Sequence, residues 1–462
     1  MYFCPLFWRI IFFVPLVLGS LCGDTARAGN PVPLTMSQAV EKAGQHHPRI
    51  QAAQCQVDGA GERIVQARSG FLPQVSAAEK FQRTTNPMWA FGTRLNQEII
   101  SAPDFDPVRL NDPDAINNFN TMLSVVWPVY DNGQTLHGWH QARMGRESAE
   151  LGLKGVRQGV MAGAVIAYMA AQFSQRNLEV VEQSLASARS HLKMVEDRFT
   201  GGFVVKSDLL RAQVRIAELE QAQCLAACQV ENAAAVLNAA MGEPPGAAYV
   251  LTTPLETQSE VQGSLEQWIE AALKRRPDSL QAERQEAMAQ EEIKKTRAAH
   301  LPGVSLFGNY EINTEEFNDT GDSYTVGAVV NLNLYSGGRD SARIAEARAA
   351  LAEVQAMRRD LETGIRVQTR QAYMQSQSGW RRIGVAAAAV AQAEEGLRIV
   401  SNRYKGGLLT IVELLDAEVA LEAARKNHFQ SLHDYRAALT HLALAAGCID
   451  DTFTGEVVLI KE

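Results

Sequence analysis

Apolar residues along this chain follow two distinct periods. Leu178, Val181, Leu185, Ala188, Leu192, Val195 and Phe199 step by three and four, and Ile383, Ala386, Val390, Ala393, Leu397, Val400 and Tyr404 step in the same way. So long a heptad seam predicts extended helices packed as in a coiled coil. The segment that follows the first seam carries Ile216, Leu219, Gln223, Ala226, Val230, Ala233, Leu237 and Ala240 at the same spacing. In the second, Leu432, Tyr435, Leu439, Leu442 and Ala446 form one seam while Ala438 and Ala445 form another beside it. A helix with two seams has two neighbours, and its alanines let backbones approach closely. A closed ring of helices suits that pattern better than a simple pair.

Between the helical blocks the period drops to two. Phe119, Thr121, Leu123, Val125, Trp127 and Val129 alternate with more polar positions, as do Tyr324, Val326, Ala328, Val330, Leu332 and Leu334. A third strand is predicted from Val304 to Asn313 and a weaker fourth from Val75 to Arg83. About ten residues of alternation is the span of a tilted membrane strand. The helices are already committed to one another, so the apolar strand faces lack a partner layer within the chain. Four strands cannot close a barrel, and an open edge cannot face lipid. Closure then requires several copies, and three would supply twelve strands.

The chain also repeats itself. Val40-Glu41 and His47-Pro48 match Ile269-Glu270 and Arg276-Pro277, and Phe71-Leu72-Pro73 matches His300-Leu301-Pro302 at the same offset. Tyr130-Asp131-Asn132-Gly133 matches Tyr335-Ser336-Gly337-Gly338 at a shorter offset, which holds for Arg198-Phe199-Thr200-Gly201-Gly202 against Arg403-Tyr404-Lys405-Gly406-Gly407. The first half thus carries about two dozen extra residues between Pro73 and Tyr130, expected as an external loop. The first repeat is expected over 29–250, with helices 37–69, 134–199 and 207–241 and strands near 74–84 and 119–130. The second is expected over 251–448, with helices 264–299, 339–403 and 410–446 and strands near 304–313 and 324–335, followed by a tail at 449–462. The Gly-Gly pairs read as helix stops, and Thr410 with Glu413 as a capping box that starts the next helix.

Composition narrows the function. The chain has 462 residues, 46% hydrophobic, 21% charged and 7% aromatic, with a formal net charge of −8, which excludes a disordered chain and a small disulfide scaffold. Arg9, the apolar stretch Ile10 to Leu18 and the small-residue site Ala26-Arg27-Ala28 predict a signal peptide over 1–28. Leu21 before Cys22 argues against lipidation there. An exported acidic chain is a poor candidate for nucleic-acid binding. Of the cysteines beyond the signal, Cys224 and Cys228 lie one helical turn apart and are read as small packing residues rather than a bridge. No catalytic constellation, cofactor motif or metal set emerges, so the chain is not read as an enzyme. His137 and His140, like His46 and His47, lack a carboxylate or cysteine at ligand spacing and read as solvated helix residues.

The duplicated helix-hairpin and strand-hairpin unit, with Leu-Pro before the strands, Tyr-x-x-Gly after them and Gly-Gly tips, resembles the TolC-like outer membrane efflux protein family, the outer membrane factors. The resemblance implies a mainly α protein with a membrane β-barrel: duplicated long helical hairpins forming an α-barrel tunnel, and four strands per chain contributing to a twelve-stranded trimeric barrel. It implies a homotrimer in the Gram-negative outer membrane, contacting its lipid and extending into the periplasm. It further implies docking to a periplasmic adaptor (membrane fusion) protein and an inner membrane pump of RND or ABC type, without cofactors. Matching the tip motifs puts Asp416, Glu413 and Asp208 at the periplasmic aperture, where a ring of acids favours cations. Gly201, Gly202, Ser207, Tyr404, Gly406, Gly407 and Leu409 take the docking and closed-state positions. The family's tip arginine is replaced by Leu409, so the closed contact would be a packing of Leu408 and Leu409 or a pairing through Lys206 or Lys405. The alternative is a periplasmic helical-hairpin adaptor or scaffold with no pore.

Overall fold

The computed structural model describes residues 32–255, 259–316 and 319–450. The predicted signal peptide and all of the tail beyond 450 lie outside the described residues. The first half runs β1 (Val32–Leu34), α1 (Met36–His46), α2 (Pro48–Ser69), β2 (Gln74–Thr84), α3 (Pro87–Asn96), a 3-10 turn (Ala102–Phe105), α4 (Pro107–Asn111), β3 (Ile116–Tyr130), α5 (Gln134–Thr200) and α6 (Lys206–Ala240). The second runs β4 (Tyr249–Leu251), α7 (Leu265–Arg275), α8 (Pro277–Ala298), β5 (Gly303–Thr314), β6 (Gly321–Asn331), α9 (Arg339–Lys405) and α10 (Ile411–Ala445). The long helices α5 and α9 have 67 residues each, about 100 Å at 1.5 Å per residue.

The helices expected over 37–69 and 264–299 are each broken. His47 and Arg276 adopt extended backbone, with ψ of 128° and 129°, because each precedes a proline whose ring excludes the helical conformation from its neighbour. Pro48 and Pro277 then start new helices at a position that needs no N–H partner. His47 adds its Nδ1 as acceptor for the Arg49 amide at 3.1 Å, so it is a cap rather than a merely solvated side chain.

Each break receives the far end of its own repeat. Gly242 (φ +76°) follows α6, and a Cβ there would lie 2.9 Å from His47 Cα. Gly447 (φ +66°) follows α10, and its Cβ would lie 2.9 Å from Arg275 C and Arg276 N. Both the left-handed backbone and the close approach require glycine. Gly447→Ala is therefore expected to cost about 1–3 kcal/mol. Thermal unfolding of the purified protein indistinguishable from wild type would rule this out.

The largest core lies at this waist. Met36, Ala39, Val40 and Ala43 of α1 pack on Ala164, Val165, Tyr168 and Met169 of α5 and on Leu237 and Met241. The Tyr168 hydroxyl donates to Leu34 O at 2.9 Å and accepts from the Thr253 amide at 3.1 Å, beside the parallel β1–β4 pair. Its repeat counterpart Tyr373 donates to Gly263 O at 3.1 Å. On the seam of α5, Val181, Leu185, Ala188 and Val195 are buried. Cys224 and Cys228 are unbridged and exposed in the single chain, on the side of α6 away from α5 that also carries the exposed Leu210 and Leu225.

At the other end, β2, β3, β5 and β6 form one antiparallel sheet in the order β2-β3-β5-β6, leaving β2 and β6 as edges. Paired residues share a face, so the register sorts the side chains. Ala77, Leu123, Tyr310 and Tyr324 align on one face, and Val125, Gly308 and Val326 align beside them. The opposite face carries Asn118 and Asn120, whose amides donate to Asn313 Oδ1 at 2.8 and 3.0 Å, and Glu311, which accepts from Asn120 at 3.2 Å. The last strand ends at Asn331 rather than near 335. Leu334 and Tyr335 beyond it are 87% and 86% exposed.

The extra residues of the first half are more than a loop. Asn86 caps α3, accepting from the Trp89 amide at 3.3 Å, and Arg94 pairs with Asp104 at 3.0 Å. The end of α3 tucks against the start of β6 so closely that a Cβ at Gly321 would lie 2.2 Å from Asn96 O.

Candidate functional site

The two hairpin turns lie side by side at the end of the helices far from the sheet. Both stop by the same chemistry. Gly202 (φ +75°) and Gly407 (φ +74°) take the left-handed conformation, while Phe203 N and Leu408 N bond back to Arg198 O and Arg403 O at 2.9 and 3.0 Å. This is the glycine-terminated helix stop expected of the Gly-Gly pairs. Gly201, Gly202, Gly406 and Gly407 are exposed, as are Phe203 at 83% and Leu408 at 76%. Phe203 and Leu408 hold equivalent positions in the two repeats and form a pair of apolar points at the outermost turn.

Beneath the turns a small core joins the hairpins: Val195 of α5, Ala212 of α6, Tyr404 of α9, and Ile411 and Leu414 of α10. The contact between the two turns is made by Arg198. Its guanidinium donates to Tyr404 O at 2.8 Å and Lys405 O at 2.5 Å, and it lies over the Tyr404 ring at 4.9 Å. Those carbonyls belong to the last turn of α9, where acceptors lack helical partners and the dipole is negative. Tyr404 O already accepts from the Gly407 amide at 3.0 Å; the Arg198 cation adds a second bond to it, gives Lys405 O a side-chain donor, and offsets the dipole.

This differs from the contacts expected from sequence. Leu408 is exposed and so does not pack within the chain, and Leu409 is half-buried. Neither Lys206 nor Lys405 pairs with an acid among the described residues. Arg198 was visible in the Arg-Phe/Arg-Tyr match of the two tips, but its acceptors are backbone carbonyls, which leave no trace in side-chain patterns.

Tyr404 is 2% exposed, and its hydroxyl has no hydrogen-bond partner among the described residues. Burial pushes that hydroxyl above the usual tyrosine range; Arg198 opposes the shift and the nearby Asp208 carboxylate adds to it. Asp208, in the first turn of α6, is half-buried, and Ser207 beside it is exposed. Glu413 is occupied as a cap, accepting from the Thr410 amide at 2.7 Å and from its hydroxyl at 3.0 Å. Asp416, one turn further, is exposed.

Behind the tip, polar pairs that the sequence reading missed tie the hairpins together. Glu418 of α10, 7% exposed, bonds to His191 and accepts from Ser187 at 3.3 Å, both on α5. Arg215 of α6 pairs with Glu422 at 2.5 Å, and Arg425 donates to Gln183 and Glu394 at 3.1 and 2.8 Å. Their only sequence signal is the spacing of Glu418, Glu422 and Arg425 along one side of α10.

Near the sheet, His137 and His140 are not the unpartnered helix residues that their spacing suggested. Glu291 of α8 lies against both, 2.6 Å from His137 Nδ1 and 3.7 Å from His140 Nδ1.

Residues 39–243 and 268–448 match the family model described as outer membrane efflux protein. The outer membrane protein TolC of Vibrio cholerae is 24% identical over 451 residues, covering 95% of each chain. The alkaline protease secretion protein AprF of Pseudomonas aeruginosa is 24% identical over 422 residues, 88% of this chain and 83% of that one. Among solved structures, the Campylobacter jejuni CmeC outer membrane channel superimposes with a TM-score of 0.76 at 15% identity, over 89% of this chain and 85% of CmeC. The Vibrio cholerae outer membrane protein VceC superimposes with a TM-score of 0.74 at 20% identity, over 89% and 96%.

Proposed function

The chain belongs to the outer membrane efflux protein family, and from that premise we propose that three copies build an exit duct across the outer membrane and periplasm, serving efflux or type I secretion. The observation that carries this reading is the two-faced sheet. One face is apolar and exposed, with Val75 at 64%, Tyr324 at 77% and Val326 at 73%, and the other carries the Asn118, Asn120, Glu311 and Asn313 network. Such a sheet suits lipid outside and water inside. Its edges β2 and β6 satisfy their backbone groups only by pairing with further copies, and three copies give twelve strands. The helices support the same closure: Leu210, Val214 and Leu225 on α6 and Met357, Val367 and Val385 on α9 are exposed apolar residues at the two free sides of the chain's helix layer.

At the tip, Asp416 is the carboxylate best disposed to ring the aperture, with Glu413 adding charge from its cap and Asp208 from beside Tyr404. The exposed Gly201-Gly202 and Gly406-Gly407 turns, with Phe203 and Leu408, suit close docking of a periplasmic adaptor, behind which an RND or ABC pump would supply the energy. This reading gives the chain no catalytic role.

The test is to purify the protein from outer membranes and reconstitute it in planar bilayers. We expect a heat-sensitive trimer and cation-preferring channels, with the preference reduced several-fold in Asp416→Ala. Recovery only from the soluble periplasm, with no conductance, would instead support a pore-free scaffold. Unchanged selectivity in the variant would remove Asp416 from the aperture.

A further inference from the structure

We propose that His137, His140 and Glu291 form a divalent transition-metal site, of the kind that takes zinc, clamping the start of α5 to the end of α8 beside the sheet. The ligand atoms of the three residues all lie within 4.8 Å of one another. Glu291 is the buried member, and His137 and His140 are half-buried, so the site is walled yet open to an ion from solvent.

The geometry distinguishes this cluster from an ordinary ion pair. Glu291 Oε2 faces Nδ1 of both imidazoles, at 2.6 and 3.7 Å, whereas a pair needs only one. The other carboxylate oxygen, Oε1, is held by Lys294 Nζ at 2.6 Å. A ligating carboxylate oriented by a hydrogen bond to its second oxygen is the usual supporting arrangement of a metal centre. Tetrahedral ligands with bonds of about 2.0–2.1 Å stand roughly 3.3 Å apart, between the two distances seen here. Two imidazoles and one carboxylate form a donor set suited to zinc, with a fourth position left for water.

The start of α5 is capped by a side chain. Asp131 accepts from the Gly133 and Thr135 amides at 3.0 and 2.7 Å, and the three-residue spacing of His137 and His140 puts them on one side of the helix. Since β3 leads into α5 and α8 leads into β5, a metal here would bind the two repeats together where helices meet sheet. Trp139, whose ring lies 5.4 Å from that of His140, provides an optical reporter.

The experiment uses detergent-purified protein without a polyhistidine tag, in a Cys224→Ser/Cys228→Ser background because those exposed thiols lie one turn apart. Zinc chloride is titrated by calorimetry at neutral pH, and copper(II) by tryptophan quenching. We expect one saturable zinc per chain at micromolar concentration, a higher unfolding temperature with zinc, and affinity lowered at least tenfold in His140→Ala and in Glu291→Gln. His140 is half-exposed, so its loss leaves the fold intact, and circular dichroism checks this. Absence of saturable binding, or binding unaffected by both substitutions, would overturn the proposal.

Discussion

Replacing Arg198 with alanine is expected to raise single-channel conductance in planar bilayers several-fold. The side chain makes two charge-assisted hydrogen bonds to the carbonyls of Tyr404 and Lys405 and covers the Tyr404 ring. Bonds of this kind are worth ~1.5–3 kcal/mol each when shielded. Arg198 is half-exposed, so screening reduces the pair together to about 1–2 kcal/mol. If the turns must separate for the duct to open, that loss shifts the closed-to-open ratio roughly five- to thirtyfold. The deeper pairs, His191 with Glu418 and Arg215 with Glu422, remain in place, so the variant should loosen the aperture without disassembling the tunnel. Arg198→Lys keeps a charge but loses the fork that reaches two carbonyls at once, and should fall between the two. Conductance of Arg198→Ala equal to wild type would mean that the turns do not hold the duct shut.

The second large effect is expected in the sheet. Leu123 sits at the middle of β3, paired with Ala77 and Tyr310 on the apolar face, and Ser124 beside it points to the opposite face. An arginine on the lipid side near the bilayer midplane costs about 2–4 kcal/mol, and a trimer would bear that cost three times. The total rivals the whole stability of a typical domain, ~5–15 kcal/mol. Leu123→Arg should therefore lose most of its trimer from the outer membrane. Ser124→Arg should assemble normally and alter only conductance or ion preference. Equal trimer yields, read from unheated gels of membrane fractions, would contradict the assignment of the two faces.

Much of this molecule is legible in its sequence, and the illegible parts have common causes. The heptad seams, the alternating strands and the Gly-Gly stops are local periodic signals, and duplication states each of them twice. The breaks before Pro48 and Pro277 were equally local, since proline constrains the residue preceding it, yet the continuous apolar pattern on either side masks them. The helices of the insertion are short and capped by single residues such as Asn86, a weak signal inside a stretch rich in Asn, Asp and Pro. Cys224 and Cys228 read as packing residues because alanines surround them, and only the fold shows that they lie on the side of α6 away from α5.

The tip residues divide along the same line. The sequence by itself determined the repeat, the long hairpins, the two-faced strands and the residues that stop and start the helices, because each depends on neighbours within a turn or two. Only the tertiary structure decided which charges meet. It brought Arg198 to carbonyls of the other hairpin, joined Glu418 to His191 of α5, and set Glu291 between two histidines on a different helix. Those contacts join residues far apart along the chain, often through backbone atoms common to every amino acid, so no local pattern of side chains could announce them.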